Sequence, residues 1–376
     1  MMENTLNTAF RTLKLLRWLI PILLVAVIKC FSLFPFWVET LYSTHLFTYI
    51  SLFQRQITSI TAFSIGDCLY AIIFFKVFVS IIQFFIKIFQ KQVNVAYCKR
   101  KTLKFIRLLL WIYIIFYFSW GLNYNRQGIA SQLHLSENSS FTENKIIYSE
   151  NELKDLVCDV AFELDNTRKE LGDSNYQYPN NKQLFTRTYL AYHQAESNFS
   201  FFHYGNYPAI KPSLLSSVVS YAGYSGYYNP ISGEAQVNTD LPKFYMPYVT
   251  LHEMAHQIGY ASESEASFVA YLVAMHSNDP LLRYSALFDL FATANSELYE
   301  RDFWSAILNI KSLSPLVKKD RKTYREYILG KQNNVEPVIR TVYDQYLKAN
   351  QQQSGINSYN ELVGWVIAFR KMGKDK

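Results

Sequence analysis

Hydrophobic positions follow two different rhythms along this chain, and the change falls near residue 122. Before it, three runs are apolar on every side: about Leu15–Phe36, Leu69–Phe89 and Phe105–Leu122. Stretches such as Ala71-Ile-Ile-Phe-Phe offer no polar face to water, and a helix of that kind belongs in lipid or in a large core. Each run is near the roughly 20 residues needed to cross a bilayer, so three transmembrane helices are expected. Lys29, Lys76 and Gln83 interrupt them, with the lysines snorkelling or facing neighbouring helices.

After residue 122 the period becomes that of amphipathic helices. They are predicted at about Glu150–Leu171, Asn181–Glu196, Leu281–Tyr299, Phe303–Ile310, Pro315–Leu329, Val335–Ala349 and Ser358–Arg370, with Asn350–Gly355 as a connecting loop. Strand-like sequence is confined mainly to 213–240. There Gly233–Thr239 reads as a short strand, and Ser216–Tyr228, with Gly223 and Gly226, as a hairpin or loop beside it. The expected fold is α+β and mostly α. A membrane anchor of three transmembrane helices occupies 1–122, followed by one sizeable domain with a small sheet over 123–376.

Charge adds an orientation. The 37 basic residues outnumber the 30 acidic ones, a formal net charge of +7. They cluster beside the apolar runs: Arg11, Lys14 and Arg17 before the first, and Lys87, Lys91, Lys99, Arg100, Lys101, Lys104 and Arg107 around the second connection. The first connection, 37–68, holds only Arg55. The positive-inside rule puts the basic segments in the cytoplasm, and three crossings then carry 123–376 to the periplasmic or extracellular side. A multi-pass protein of the cytoplasmic membrane accounts for the charge, and no motif supports nucleic-acid binding. No small-x-small site follows the first run, and Lys29 before Cys30 does not suit a lipoprotein box, so that run is expected to stay as an anchor. None of the four cysteines has zinc-site spacing. Cys158 is the one in the soluble part, while Cys30 and Cys68 both fall near the outer membrane face, where a pairing is open to them.

The chemistry sits in His252-Glu253-Met254-Ala255-His256. Histidines four apart on a helix share a face and can share a zinc ion, and Glu253, about 100° around, points beside the metal as a base toward water. Pro247 suits a first helical turn and Gly259 the residue past a helix end. Tyr248, Leu251, Ala255 and Ile258 form the stripe that buries the helix. A catalytic zinc takes three protein ligands, and the downstream candidates are Glu263, Glu265 and His276. Ser262 and Glu265 have capping-box spacing, which gives Glu265 a structural task and leaves Glu263 free to face the histidines; Glu265 is the alternative ligand. His276 reads as an ordinary residue near a helix end.

His-Glu-x-x-His followed by Glu-x-x-Ala resembles the compact gluzincin metallopeptidases. The resemblance implies a zincin-like domain with His252, His256 and Glu263 as zinc ligands and Glu253 as catalytic base. It also implies a supporting role for Ser267, where related gluzincins often carry Asn or Asp, and an edge strand over 233–239 that pairs with an extended peptide. Tyr227 and Tyr228 are candidates for oxyanion stabilisation, although in a chain with 29 tyrosines a packing role is the commoner one. Over nearly the whole chain the sequence is similar to the bacterial domain-of-unknown-function family 3810. That similarity rests on the three apolar runs, Trp120-Gly121-Leu122-Asn123-Tyr124, Gly233-Glu234-Ala235, the zinc segment and Ser358-Tyr359.

The expected function is a membrane-anchored zinc peptidase acting on a peptide or protein of the cell envelope. The alternative is a metal-binding sensor or scaffold without catalysis, and Glu253 separates the two, since a structural zinc site has no use for a base. An intramembrane protease is disfavoured because Lys243–Tyr260 is too short and polar to span a bilayer.

Overall fold

The computed structural model describes residues 2–135, 141–142, 145–172, 176–350, 352 and 361–374, so Ser358-Tyr359 lies outside the described residues. The chain is mostly helical, with a small three-stranded sheet. Three helices are long and apolar enough to cross a membrane: α1 (Met2–Ser32), α3 (Ile65–Phe89) and α4 (Val95–Ser119). α1 ends at Ser32, short of the expected Phe36. α4 begins ten residues before the expected Phe105, because the basic stretch Lys99–Lys104 continues the same helix and Asn94 caps it by accepting from the Tyr97 N–H at 2.8 Å. α1 and α4 pack on each other, while α3 buries none of its apolar window. Cys30, Cys68, Cys98 and Cys158 are all free thiols, so the Cys30–Cys68 pairing is not formed.

The connection between the first two apolar helices is not a plain loop. Val38–Leu46 is a π-helical turn leading into α2 (Phe47–Thr58), and both lie against the C-terminal part of the chain. Glu39 is buried in a two-point pair with Arg126, at 2.6 and 2.9 Å, and Gln132 donates to it at 3.0 Å. Burial pushes the Glu39 carboxyl up, but the bonded guanidinium outweighs that and holds it below the usual range. Ser51 donates to the Gln257 carbonyl at 2.7 Å, and Arg55 donates to the Tyr204 carbonyl at 2.8 Å.

The remaining helices sit close to their sequence-predicted positions. They are α5 (Glu150–Glu170), α6 (Asn181–Glu196), α7 (Met246–Gln257), α8 (Glu263–Met275), α9 (Pro280–Arg301), α10 (Phe303–Ser312), α11 (Pro315–Lys331), α12 (Glu336–Ala349) and α13 (Glu361–Lys374). Capping boxes start α5 and α6 as local sequence dictates: Ser149 with Glu152, and Asn180 with Gln183. The core gathers where α9 crosses α5 and α7 and where α8 packs on α7, around buried Leu251, Phe268, Leu272, Tyr284 and Phe291.

A two-residue pair, β1 (Phe141–Thr142) with β2 (Lys145–Ile146), lies apart from the main sheet of β3 (Ile210–Pro212), β4 (Gly226–Asn229) and β5 (Glu234–Val237). Its order is β3-β5-β4, with β5 parallel to β3 and antiparallel to β4. The expected strand is therefore present but central, and the edge beside the site is β4. The Ser216–Tyr228 region is a short helix, Ser216–Tyr221, leading into that edge strand. A glutamate fixes the arrangement. Glu234 accepts from the Ile65 and Gly66 N–H groups at 3.0 and 2.6 Å, a carboxylate at the positive end of α3, and from Ser232 at 2.9 Å. Gly233-Glu234-Ala235 thus ties an apolar helix to the sheet.

Candidate metal centre

α7 carries the site. It starts after Tyr245 with Pro247 in its first turn, and Gly259 follows it at φ +91°. That left-handed turn suits glycine, and a Cβ there would meet Phe47 at 3.1 Å and Asn123 Oδ1 at 3.2 Å. The apolar stripe Tyr248, Leu251 and Ala255 is buried as expected, with Ile258 partly so. The helix is buried on its other faces too, because the sheet, α2 and the C-terminal end of α4 cover them. Trp120 donates from its indole to the His256 carbonyl at 3.2 Å, and its ring lies 5.9 Å from the His256 ring. Trp120-Gly121-Leu122-Asn123-Tyr124 thus joins α4 to the site helix.

His252, His256 and Glu263 come together, with one ligand-capable atom from each within 4.8 Å of the others. His252 Nε2 lies 3.0 Å from Glu263 Oε2, and His256 Nε2 lies 3.9 Å from the same oxygen. Each ring is oriented by its other nitrogen. His256 Nδ1–H donates to the Tyr260 carbonyl at 2.6 Å, and His252 Nδ1 pairs with the Ser267 hydroxyl at 3.2 Å, with both Nε2 atoms facing Glu263. Tyr343 donates to the second Glu263 oxygen at 2.6 Å. Two imidazoles and a carboxylate, with ligand atoms within 4.8 Å of one another, form a donor set that fits a zinc ion, which three protein ligands would leave with one position open.

Burial raises the cost of charge here, and the partners decide its sign. Burial pushes the Glu263 carboxyl up, but His252, His256 and Tyr343 outweigh it and bring it to about 2. Burial drives His256 down to about 4, whereas bonded Glu263 holds His252 above the usual range against the same effect. Glu253 gets too little relief: burial pushes it up to about 8 against the pull of His252, and its Oε2 is a buried acceptor without a hydrogen-bond partner among the described residues. Gly226 of β4 makes room for it, since a Cβ there would lie 2.7 Å from Glu253 Oε1 and 2.9 Å from the Gln236 carbonyl.

Glu265 stands away from the cluster, for a reason other than the expected capping box. Ser262 is the N-cap of α8 but makes no side-chain cap, pairing instead with Ser264 Oγ at 2.9 Å. Glu265 accepts from the Ile129 N–H at 2.8 Å, and burial pushes its carboxyl up to about 7 against the pull of Arg126. His276, just past the end of α8, donates to the Leu272 carbonyl at 2.8 Å. Tyr227 donates to Asp67 and pairs with Ser213 at 2.9 Å, which occupies its hydroxyl. Tyr228 is buried against Trp120, with ring centroids 5.2 Å apart. Tyr343 and Asp289 were not singled out in the sequence. Asp289 accepts from Tyr245 at 2.7 Å, and it lines the site cavity with Tyr248. Separations of 80 and 44 residues from their partners leave no local signal for either.

The site opens into a cavity of about 1290 Å³, lined by His252, Glu253, His256 and Glu263, by β4 residues Gly226–Tyr228, and by Arg340, Tyr343 and Tyr346 of α12.

Fold and site together define a mostly helical protein with three apolar helices and a buried two-histidine, one-glutamate cluster. The chain belongs to the family described as "Protein of unknown function (DUF3810)", which matches residues 42–367. No curated protein and no solved structure matches it.

Proposed function

We propose that this protein is a membrane-anchored zinc-dependent peptidase of the gluzincin type, working on the outer side of the cytoplasmic membrane. The carrying observation is Glu253, a carboxyl group buried to 4% exposure with one oxygen unpartnered among the described residues, beside the His252–His256–Glu263 cluster in a large cavity. A structural metal site is closed by four protein ligands and has no use for such a group. His252, His256 and Glu263 would hold the ion, with Ser267, the Tyr260 carbonyl and Tyr343 fixing their orientations. When bound, zinc supplies Lewis acidity toward an amide carbonyl and toward water. Glu253 takes the proton from the attacking water as its oxygen adds to the carbonyl carbon, then passes that proton to the nitrogen as the C–N bond breaks. β4 has a neighbour on one side only among the described residues, so its other edge offers backbone donors and acceptors to an extended peptide. The basic residues between α3 and α4 support an outward-facing domain.

The test uses the full chain in detergent with a pool of quenched fluorescent peptides. Wild type is expected to cleave members of the pool. Glu253→Gln should keep its zinc and lose turnover by about 10²-fold or more, the scale of a general base. Cleavage that persists in zinc-loaded Glu253→Gln would remove Glu253 from the mechanism.

A further inference from the structure

The cavity does not stop at the cluster. Its wall continues onto Lys29 of α1, Tyr70 of α3 and Leu109, Ile112 and Phe116 of α4. Leu109 lies about 15 Å along α4 from the Ser119 end, at 1.5 Å per residue. That is half the depth of a hydrocarbon core of roughly 30 Å. Lys29 and Tyr70 also sit near those helix ends that meet the domain, so one space joins the cluster to the level of the lipid tails. Its side is open. α1 and α4 pack together, whereas α3 buries none of its apolar window, and Ile112 on the cavity wall is exposed.

We propose that the site takes peptides that carry a membrane anchor, with the anchor entering sideways from the bilayer between α3 and the α1–α4 pair. This rests on the hydrolase reading for the bond that is cut, but not for the occupant. At about 1290 Å³ the space exceeds the roughly 300–1,000 Å³ of small-ligand sites. Its two ends also ask for different chemistry. The β4 edge and Glu253 suit an extended polar backbone, while Leu109, Ile112 and Phe116 suit an acyl chain or apolar segment. An anchored peptide joins both in one molecule. Lys29 places its ammonium over the Tyr113 and Tyr117 rings, 5.8 and 5.5 Å from their centroids, and has no carboxylate partner among the described residues. It puts a positive charge where the anchored part of the substrate meets the membrane face, which suits an acidic group there.

The test uses the full chain carrying Glu253→Gln in phosphatidylethanolamine–phosphatidylglycerol vesicles, with a photoreactive benzoylphenylalanine replacing either Ile112 or Ile106. Both side chains are exposed on α4, but only Ile112 lines the cavity. The probes are a decapeptide pool bearing a palmitoyl chain at either end, the same pool fused to a leucine-rich segment, and the unanchored pool. Confinement to the membrane raises any anchored peptide's local concentration, so the ratio between the two positions is decisive. Labelling of an anchored pool should be about tenfold stronger at Ile112 than at Ile106, and competed by excess unlabelled peptide. The palmitoyl and leucine-rich arms then separate acyl chain from apolar segment. Equal labelling at the two positions, or equal labelling by the unanchored pool, would overturn the proposal. Cleavage of the same pools by wild type reads the hydrolase separately: labelling without cleavage removes the peptidase and keeps the lateral groove, while equal cleavage of anchored and free pools without selective labelling does the reverse.

Discussion

At the scale of single residues, the two acidic candidates after the histidines have different environments, and both are buried. Glu263 is held low by two imidazoles and a tyrosine; Glu265 accepts one backbone N–H and is pushed up. Glu263→Gln is therefore expected to lose zinc, since an amide is a poor replacement for an anionic ligand. Glu265→Gln should keep zinc, because an amide oxygen still accepts from Ile129. Metal content of the two purified variants checks this, and zinc lost from Glu265→Gln but kept in Glu263→Gln would reverse the roles. Which carboxylate faces the histidines was legible in the sequence only through helix phase, since residues two apart point about 200° away from one another. The capping box used to choose between them does not form, because the Ser262 hydroxyl turns to Ser264. Tyr343 was invisible, as nothing local links it to Glu263 eighty residues earlier.

Among the elements, periodicity located α5, α6 and α9 to within a few residues because their apolar faces and caps are local properties. Sheet order is not local. The Gly233–Thr239 pattern reads as a strand from its own residues, but its central place depends on β3 and β4, the first lying more than twenty residues away. β4 was read as part of a hairpin or loop, yet its Gly226 sets the space for Glu253. Gly226→Ala would drive a methyl into the Glu253 carboxylate and the Gln236 carbonyl. Displacing a catalytic group by about 1 Å costs up to roughly 10² in rate. Peptide turnover should therefore fall about 10- to 100-fold, with zinc content unchanged. Turnover equal to wild type would show that β4 does not position Glu253.

For the whole molecule, the division at residue 122 describes a change of composition more closely than a change of structure. Glu39, Ser51 and Arg55 precede the second apolar helix yet bond to Arg126, Gln257 and Tyr204 beside the site, and Glu234 reaches back to the start of α3. Those contacts put the connection between α1 and α3 on the same side as the C-terminal part. That agrees with its single basic residue, and under the proposed orientation both would lie outside the cytoplasm. A reporter active only outside the cytoplasm should work when fused after Lys376 and fail when inserted near Val95. The opposite pattern would turn the protein over and move the cluster into the cytoplasm.

The proposed zinc ion would be held by three residues that two separate helices bring together. Elemental analysis of the purified full-length chain is the most direct measurement. About one zinc per wild-type chain is expected, falling close to none in His256→Ala, because the two remaining ligands do not hold a catalytic zinc tightly. Wild-type protein without zinc, or His256→Ala with its zinc intact, would contradict the account.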